Sequence, residues 1–335
     1  MKKNEPYNPP FSINSGIIHL VASIGEGLGR LSMQPDLTKA LRLRRINRIR
    51  TIRGSLAIEG NTLTEEQITA ILDGKQVLAK PREIREVQNA IAAYDRFQHW
   101  QPGLESDLLE AHRILMDGLM KEPGKYRSGG VGIMNGEKVI HMAPQAHRVP
   151  VLMRDLLHWV TNTNQHPLVS SSVFHYEFEF IHPFSDGNGR MGRLWQTLML
   201  TNWNPIFANI PVESLIHENQ MEYYQVLQKS TREADSSSFI EFLLRMIEGA
   251  VSSITPQAAP HVTPQVERLM LALVGEMSRD KLQEEMGILD RKSFRESYLK
   301  PALANGLIEM TLPDKPNSPL QRYRLTDKAR QKSED

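Results

Sequence analysis

The chain has 335 residues, 40 Lys and Arg against 39 Asp and Glu, and a formal charge of +1. That length provides for two or three packed units, and the balance of charge excludes a strong basic field for nucleic acid. Cysteine is absent, which fits a reducing compartment. No run approaches the roughly 20 apolar residues of a membrane span. Met1-Lys2-Lys3 leads to Pro6, Pro9 and Pro10 rather than to an apolar signal core, so a soluble cytoplasmic protein with no membrane partner is expected.

Residues 1–101 read as an N-terminal helical region. Between Lys39 and Arg53, six arginines (Arg42, Arg44, Arg45, Arg48, Arg50 and Arg53) alternate with Leu41, Leu43, Ile46, Ile49 and Ile52. The apolar spacing predicts one buried helix side, and the arginines read as its solvated face. Ser55-Leu56-Ala57-Ile58-Glu59-Gly60 follows. Ser55 and Glu59 lie one helical turn apart and face the same way, and Gly60 suits a helix C-terminus.

Residues 102–253 form the central region. Gly124-Lys125-Tyr126-Arg127 precedes two apolar stretches, Val131–Met134 and Val139–Met142, separated by Asn135-Gly136. Asn-Gly in that setting predicts a β-hairpin with Ile133, Val139, Ile140 and His141 in its strands. Apolar residues recur at helical spacing over 151–161 and 170–180, and His175 in the second stretch reads as a packing residue. Tyr224 and Leu227, three apart in a later helix, share a face that suits either a flat base or the core. A further helix is predicted over 239–247.

Twelve residues concentrate the chemistry: His182-Pro183-Phe184-Ser185-Asp186-Gly187-Asn188-Gly189-Arg190-Met191-Gly192-Arg193. Gly187 and Gly189 flank Asn188, so the backbone can curl and present its N–H groups. A helix follows, and a glycine-rich turn opening a helix is an anion site, because free N–H groups and the helix dipole point the same way. Arg190 and Arg193 project from one side of that helix and reach a polyphosphate as multidentate donors. Asp186 offers the hard oxygen that suits the Mg2+ accompanying nucleotide phosphates. His182 is placed to act as a general base near neutral pH.

Residues 254–261, with Pro256 and Pro260, read as a linker to a C-terminal unit over 262–335. Helices are predicted over 264–276, over 278–287 with Ser278 as its cap and Gly287 at its end, and over 290–304 with a bend at Pro301. Two short strands follow over 307–312 and 321–325. Three helices and a hairpin are the order of a winged helix-turn-helix. From Val262 onward there are 13 Lys and Arg against 12 Asp and Glu, although Arg291, Lys292, Arg295 and Lys300 gather on the third helix. DNA and protein both stay open as partners of this unit.

The twelve-residue stretch fills every fixed position of the Fic family signature, His-Pro-Phe-x-[Asp/Glu]-Gly-Asn-Gly-Arg-x-x-Arg, and on it the chain resembles that family. The resemblance implies a mainly α fold, a Fic helical bundle with a β-hairpin flap followed by a C-terminal winged helix-turn-helix. It implies transfer of AMP from ATP to Ser, Thr or Tyr hydroxyls of a target protein and of the chain itself. In that scheme His182 is the base and Asp186 holds Mg2+. Nucleotide binding falls to Gly187, Asn188, Gly189, Arg190, Met191, Gly192 and Arg193, with Tyr224 and Leu227 at the adenine. Ile133, Val139, Ile140 and His141 belong to a flap that holds the target by strand addition. Ser55 and Glu59 resemble the family's inhibitory motif, [Ser/Thr]-x-x-x-Glu-[Gly/Asn], in which the glutamate pairs with Arg193 at the γ-phosphate position. Family members often form dimers, so a homodimer is expected too. Two other readings stand beside transfer: removal of AMP or another phosphotransfer at the same site, and a nucleotide-sensing winged-helix transcription regulator.

Overall fold

The computed structural model describes residues 7–32, 37–130, 132–135, 138–254, 264–304, 306–313, 315 and 318–326; the side chains of 37–43, 132–135, 138–141, 264 and 304 lie outside that description. So does the expected linker beyond Ile254. The chain forms two compact units, Met1–Thr255 and Pro256–Asp335.

The first unit is helical. Its elements are α1 Ser15–Ser32, α2 Leu37–Ile58, α3 Glu65–Leu72, α4 Pro81–Arg96, α5 Glu105–Leu115, the strands β1 Gly132–Asn135 and β2 Lys138–Met142, then α6 Val149–Asn162, α7 Pro167–Ile181, α8 Asn188–Trp203, α9 Val212–Glu218, α10 Gln220–Glu233 and α11 Ser237–Ile254. One hydrophobic cluster runs from Ile17 to Val251, so residues before and after position 101 share a core. α7 and α8 form its centre. Both are buried nearly all round, which a helix tolerates when its polar groups find partners inside. Trp195 of α8 is fully buried, stacks on Trp100 with centroids 6.1 Å apart and donates its indole N–H to Pro102 O at 3.0 Å.

α2 lies along this centre with Ile49, Ile52 and Leu56 buried and Arg44, Arg45, Arg50 and Arg53 exposed, the two faces expected from its spacing. The arginines are tied to acidic residues of α3, α4 and their surroundings: Arg45 to Asp73, Arg48 to Asp95 at 2.7 Å, Arg50 and Arg53 to Glu65. Such partly exposed pairs contribute little each, about 0–1 kcal/mol. Close packing locks the helix more firmly. A Cβ on Gly54 would stand 2.6 Å from the backbone carbon of Glu213 and the nitrogen of Ser214, so α2 and α9 touch backbone to backbone there. α2 ends in a Schellman turn: Gly60 (φ +88°) donates to Ala57 O at 3.0 Å and Asn61 to Leu56 O at 3.1 Å. Gln220 of α10 donates to the free carbonyl of Ile58 at 2.8 Å.

The second unit has its own core around Phe294, Leu299 and Leu307. It comprises α12 Pro264–Ala272, β3 Met277–Ser278, α13 Arg279–Glu285, α14 Arg291–Phe294, α15 Lys300–Ala304, β4 Ile308–Met310 and β5 Arg322–Leu325. Ser278 caps α13, accepting from Lys281 N at 3.3 Å, and Gly287 (φ +66°) ends it, as expected. Two details differ from the sequence reading. Met277–Ser278 adds a third strand, giving the sheet order β3-β5-β4. The third helix is interrupted by a π turn over Arg295–Leu299 ahead of Pro301, which has no N–H to continue the α ladder.

Candidate active site

The catalytic-type loop joins α7 to α8, and its shape is held by buried hydrogen bonds. His182 caps α7: its N–H donates to Phe178 O at 2.9 Å, and its backbone is left-handed at φ +50°. For a residue with a Cβ that conformation costs about 1–3 kcal/mol, so the surroundings must impose it. Arg127 does this. Its guanidinium donates to His182 O at 2.7 Å, Ile181 O at 3.2 Å, Gly129 O at 2.9 Å and Pro144 O at 2.5 Å, while its own N–H donates to Pro183 O at 2.9 Å. One buried side chain thereby joins the end of α7 to both flanks of the hairpin.

The next residues turn about Phe184, which is fully buried and stacked on His112 with centroids 3.6 Å apart. His112 Nδ1 accepts from Gly124 N at 2.8 Å, so its proton sits on Nε2 and is donated to Asp186 O at 3.0 Å. Burial lowers the His112 pKa to about 4, which keeps this ring neutral and structural. Asn188 departs from its expected place among phosphate donors. Its amide oxygen accepts from Phe184 N at 2.9 Å and its nitrogen donates to Phe184 O at 2.8 Å, so both ends face inward and shape the loop. Gly187 (φ +84°) makes the final turn, where a Cβ would meet Met116 Sδ at 2.6 Å.

At the start of α8 the two expected arginines are almost fully buried, Arg190 at 4% and Arg193 at 1% exposure. Arg190 Nη2 approaches Asp186 Oδ1 at 3.3 Å and Nη1 approaches Glu86 Oε1 at 3.7 Å, while its Nε and Nη1 have no hydrogen-bond acceptor. Arg193 is fully engaged by the end of α2: Nε donates to Ser55 Oγ at 3.1 Å, Nη2 to Ser55 O at 2.9 Å and Nη2 to Glu59 Oε1 at 2.7 Å. Burial by itself would lower the Arg193 pKa; Glu59 foremost, with Tyr223 and Glu179, outweighs it and the guanidinium is held charged. A Cβ on Gly189 would lie 2.4 Å from Glu59 Oε1, so the carboxylate rests over the first turn of α8, where an anion is favoured. A Cβ on Gly192 would press on His175 and Glu179 at 3.2–3.3 Å, which fits α8 tightly against α7, and Met191 is buried in the core.

Asp186 is half-exposed. Its Oδ1 accepts from Gly187 N at 2.7 Å and its Oδ2 faces Arg82 Nη2 at 3.4 Å. Among the described residues no group of three acidic, His or Cys side chains is gathered for a metal. One accessible carboxylate beside a polyphosphate site fits an Mg2+ that enters with the nucleotide, since that ion keeps waters and substrate oxygens as its other ligands. Glu86 was not singled out by the sequence. It accepts from Asn61 Nδ2 at 2.9 Å and lies beside Arg82 and Arg190, linking the turn after α2 to the phosphate end of the site.

The remaining expected residues divide. Leu227 is buried in the hydrophobic core, which leaves it no surface for a base; Tyr224 next to it stays part-exposed. His175 is a packing residue, with Nδ1 against Gln196 Oε1 at 2.7 Å, Nε2 against the Tyr223 hydroxyl at 3.3 Å, and a pKa lowered to about 4 by burial. The hairpin forms with the register Ile133↔His141, Met134↔Val139 and Asn135↔Lys138 and an irregularity between Ile133 and Met134. The side chains of Ile133, Val139, Ile140 and His141 lie outside the described residues. His112 and Arg127 act through contacts with distant backbone, so neither carried a local signal of its role.

This geometry agrees with what the chain is similar to. Residues 100–200 match the model of the Fic/DOC family, and residues 264–326 match that of the Fic-like C-terminal domain. A protein adenylyltransferase Fic from Nematostella vectensis is 28% identical over 211 residues, 59% of this chain and 47% of that protein; one from Drosophila virilis is 29% identical over 201 residues, 56% and 39%. The chain thus spans less than half the length of these relatives. A Fic-1 fragment from C. elegans shares the fold, with a TM-score of 0.58 at 24% identity, over 71% of this chain and 70% of that one. A crystal structure of a Fic family protein from Desulfovibrio desulfuricans is 54% identical, covering 96% of this chain and 99% of that one with a TM-score of 0.71. With such identity along nearly its whole length, and the twelve-residue signature folded into a loop opening onto a helix N-terminus, the chain belongs to the Fic family.

Proposed function

We propose that this protein is an adenylyltransferase that moves AMP from ATP to a hydroxyl of a target protein, and that Glu59 restrains it. The observation that carries this reading is the Glu59–Arg193 pair at 2.7 Å, seated over Gly189 at the start of α8. The triphosphate lies along that helix end, with the buried, unsatisfied Nε and Nη1 of Arg190 as its donors. Arg193 receives the γ-phosphate when Glu59 leaves; while Glu59 stays, ATP is held in a pose unsuited to attack. His182 takes the proton of the incoming hydroxyl, the oxygen attacks the α-phosphorus, and pyrophosphate departs. Asp186 would hold an Mg2+ that neutralises phosphate charge. The hairpin aligns the target segment by strand addition, a contact that reads backbone rather than sequence. A reducing compartment such as the cytoplasm suits a chain with no cysteine.

The names of the curated relatives support adenylyl transfer over the other phosphotransfer chemistries. DNA binding is not needed in this scheme: in the C-terminal unit Lys300 and Arg295 both lie against Glu296, which offsets their charge. The test is labelling of protein from ATP carrying 32P at the α or the γ position, with wild type, Glu59→Gly and Glu59→Gly/His182→Ala. Label from the α position alone, raised by Glu59→Gly and lost with His182→Ala, is expected. Label from the γ position would instead mean a kinase. No label in any variant, with ATP still bound, would replace this reading by AMP removal or nucleotide sensing.

A further inference from the structure

Behind the catalytic-type histidine lies a carboxylate that the scheme above does not use. Glu179 sits one turn before His182 on α7, 3% exposed, with Oε2 3.6 Å from His182 Nδ1. His182 Nδ1 and Glu179 Oε1 are both buried and both lack a hydrogen-bond acceptor or donor. Two unsatisfied buried groups, one acidic and one basic, at that separation are each other's natural partners, and a small rotation closes the hydrogen bond. The groups around Glu179 keep it ionised: burial raises its pKa, but His182, His175 and Arg193 together outweigh burial and hold it below the usual carboxylate range. Gly192 makes room for it, since a Cβ there would lie 3.3 Å from Glu179 Oε1.

We infer that Glu179 is the positioning residue for His182, holding the imidazole with its proton on Nδ1 so that Nε2 is the free base. The inference rests on the adenylyl-transfer reading for its consequence, though not for its geometry. The left-handed backbone at His182 turns the ring back over the last turn of its own helix, which brings Nδ1 towards Glu179. The ring retains 17% exposure while Nδ1 has none, so the solvent-facing part is elsewhere on the ring. During transfer Nε2 gains the hydroxyl proton, Nδ1 keeps its own, and the imidazolium is stabilised by a carboxylate that itself stays ionised. His175, the nearest other histidine, is engaged by Gln196 and Tyr223 and does not compete for this role.

The experiment has two independent readouts. The first is the 15N signature of the imidazoles in the full chain, with His182 assigned by the signal missing from His182→Ala. The inference expects the Nδ1–H tautomer in wild type and a shift towards Nε2–H, or a mixture, in Glu179→Gln. An Nε2–H tautomer in wild type overturns it without any kinetics and without reliance on a variant that folds. The second compares transfer in the Glu59→Gly background. Glu179→Gln is expected to lower kcat by about 100-fold or more, the scale of lost general-base catalysis, with KM for ATP within about threefold. Glu179→Asp, which keeps the charge, is expected to recover at least about tenfold of that loss. Unchanged kcat in Glu179→Gln, or equal losses for Gln and Asp, overturns it. Should Glu59→Gly itself fail to transfer AMP, the functional reading falls, while the tautomer measurement still decides the role of Glu179.

Discussion

Replacing Glu59 by Gly removes one of three hydrogen bonds to Arg193, the one at 2.7 Å that joins opposite charges, and leaves those to Ser55 Oγ and Ser55 O. A hydrogen bond to a charged group contributes about 1.5–3 kcal/mol, and each 1.36 kcal/mol is tenfold in rate. The freed guanidinium then meets the γ-phosphate without first releasing the carboxylate, so initial AMP transfer should rise by about tenfold to about 150-fold. Glu59 is 34% exposed, so water screens part of the pair and the lower end of that range is the firmer figure. The assay is the initial rate of label transfer from α-32P-ATP at saturating ATP, read alongside the far-ultraviolet helical signal to verify that α2 stays folded. A ratio within about twofold of unity would refute the claim that this pair limits the enzyme. The change should leave the fold intact, because the end of α2 keeps its Schellman turn and the Gln220 bond to Ile58.

Three further outcomes follow from the packing and the buried charges. Gly54→Ala places a Cβ 2.6 Å from the backbone of α9, which cannot move aside as a side chain could, so stability to denaturant should fall by at least about 1–3 kcal/mol; an unchanged midpoint would refute that contact. Arg127→Met leaves the carbonyls of His182, Ile181, Gly129 and Pro144 without their shared donor, so transfer in the Glu59→Gly background should drop by more than about tenfold and the midpoint should also fall. His112 and His175 each have a pKa lowered to about 4 by burial, from an unfolded value of 6.5. The unfolded chain therefore binds more protons below pH 6.5, and stability, complete above that value, is lost as pH falls towards 4. At pH 5 each ring should cost about 2 kcal/mol relative to neutral pH. Imidazole signals of either residue titrating near 6.5 in the folded protein would contradict this.

The sequence by itself determined everything that depends on neighbours along the chain. The contiguous signature from His182 to Arg193 carries its own turn, helix start and charges, and it folded as a loop opening a helix. The Asn135-Gly136 turn, the two faces of α2, the ends at Gly60 and Gly287 and the cap at Ser278 are likewise local, set by backbone freedom and by the 3.6-residue period. The motif at Ser55 and Glu59 was legible as a helix end, and its resemblance supplied a partner, but the 2.7 Å contact with a residue 134 positions away exists only because α2 packs onto α9 and α8. Tertiary structure alone decided which polar groups face inward. Asn188 looked like a phosphate donor and proved to be a brace for Phe184, and Leu227 looked available to a base and proved to be core. His112, Arg127 and Glu179 look ordinary in the sequence, since their partners are backbone carbonyls or rings on other elements. The physical reason is that a buried polar side chain must be satisfied by whatever the fold brings beside it, and no local pattern encodes that neighbour.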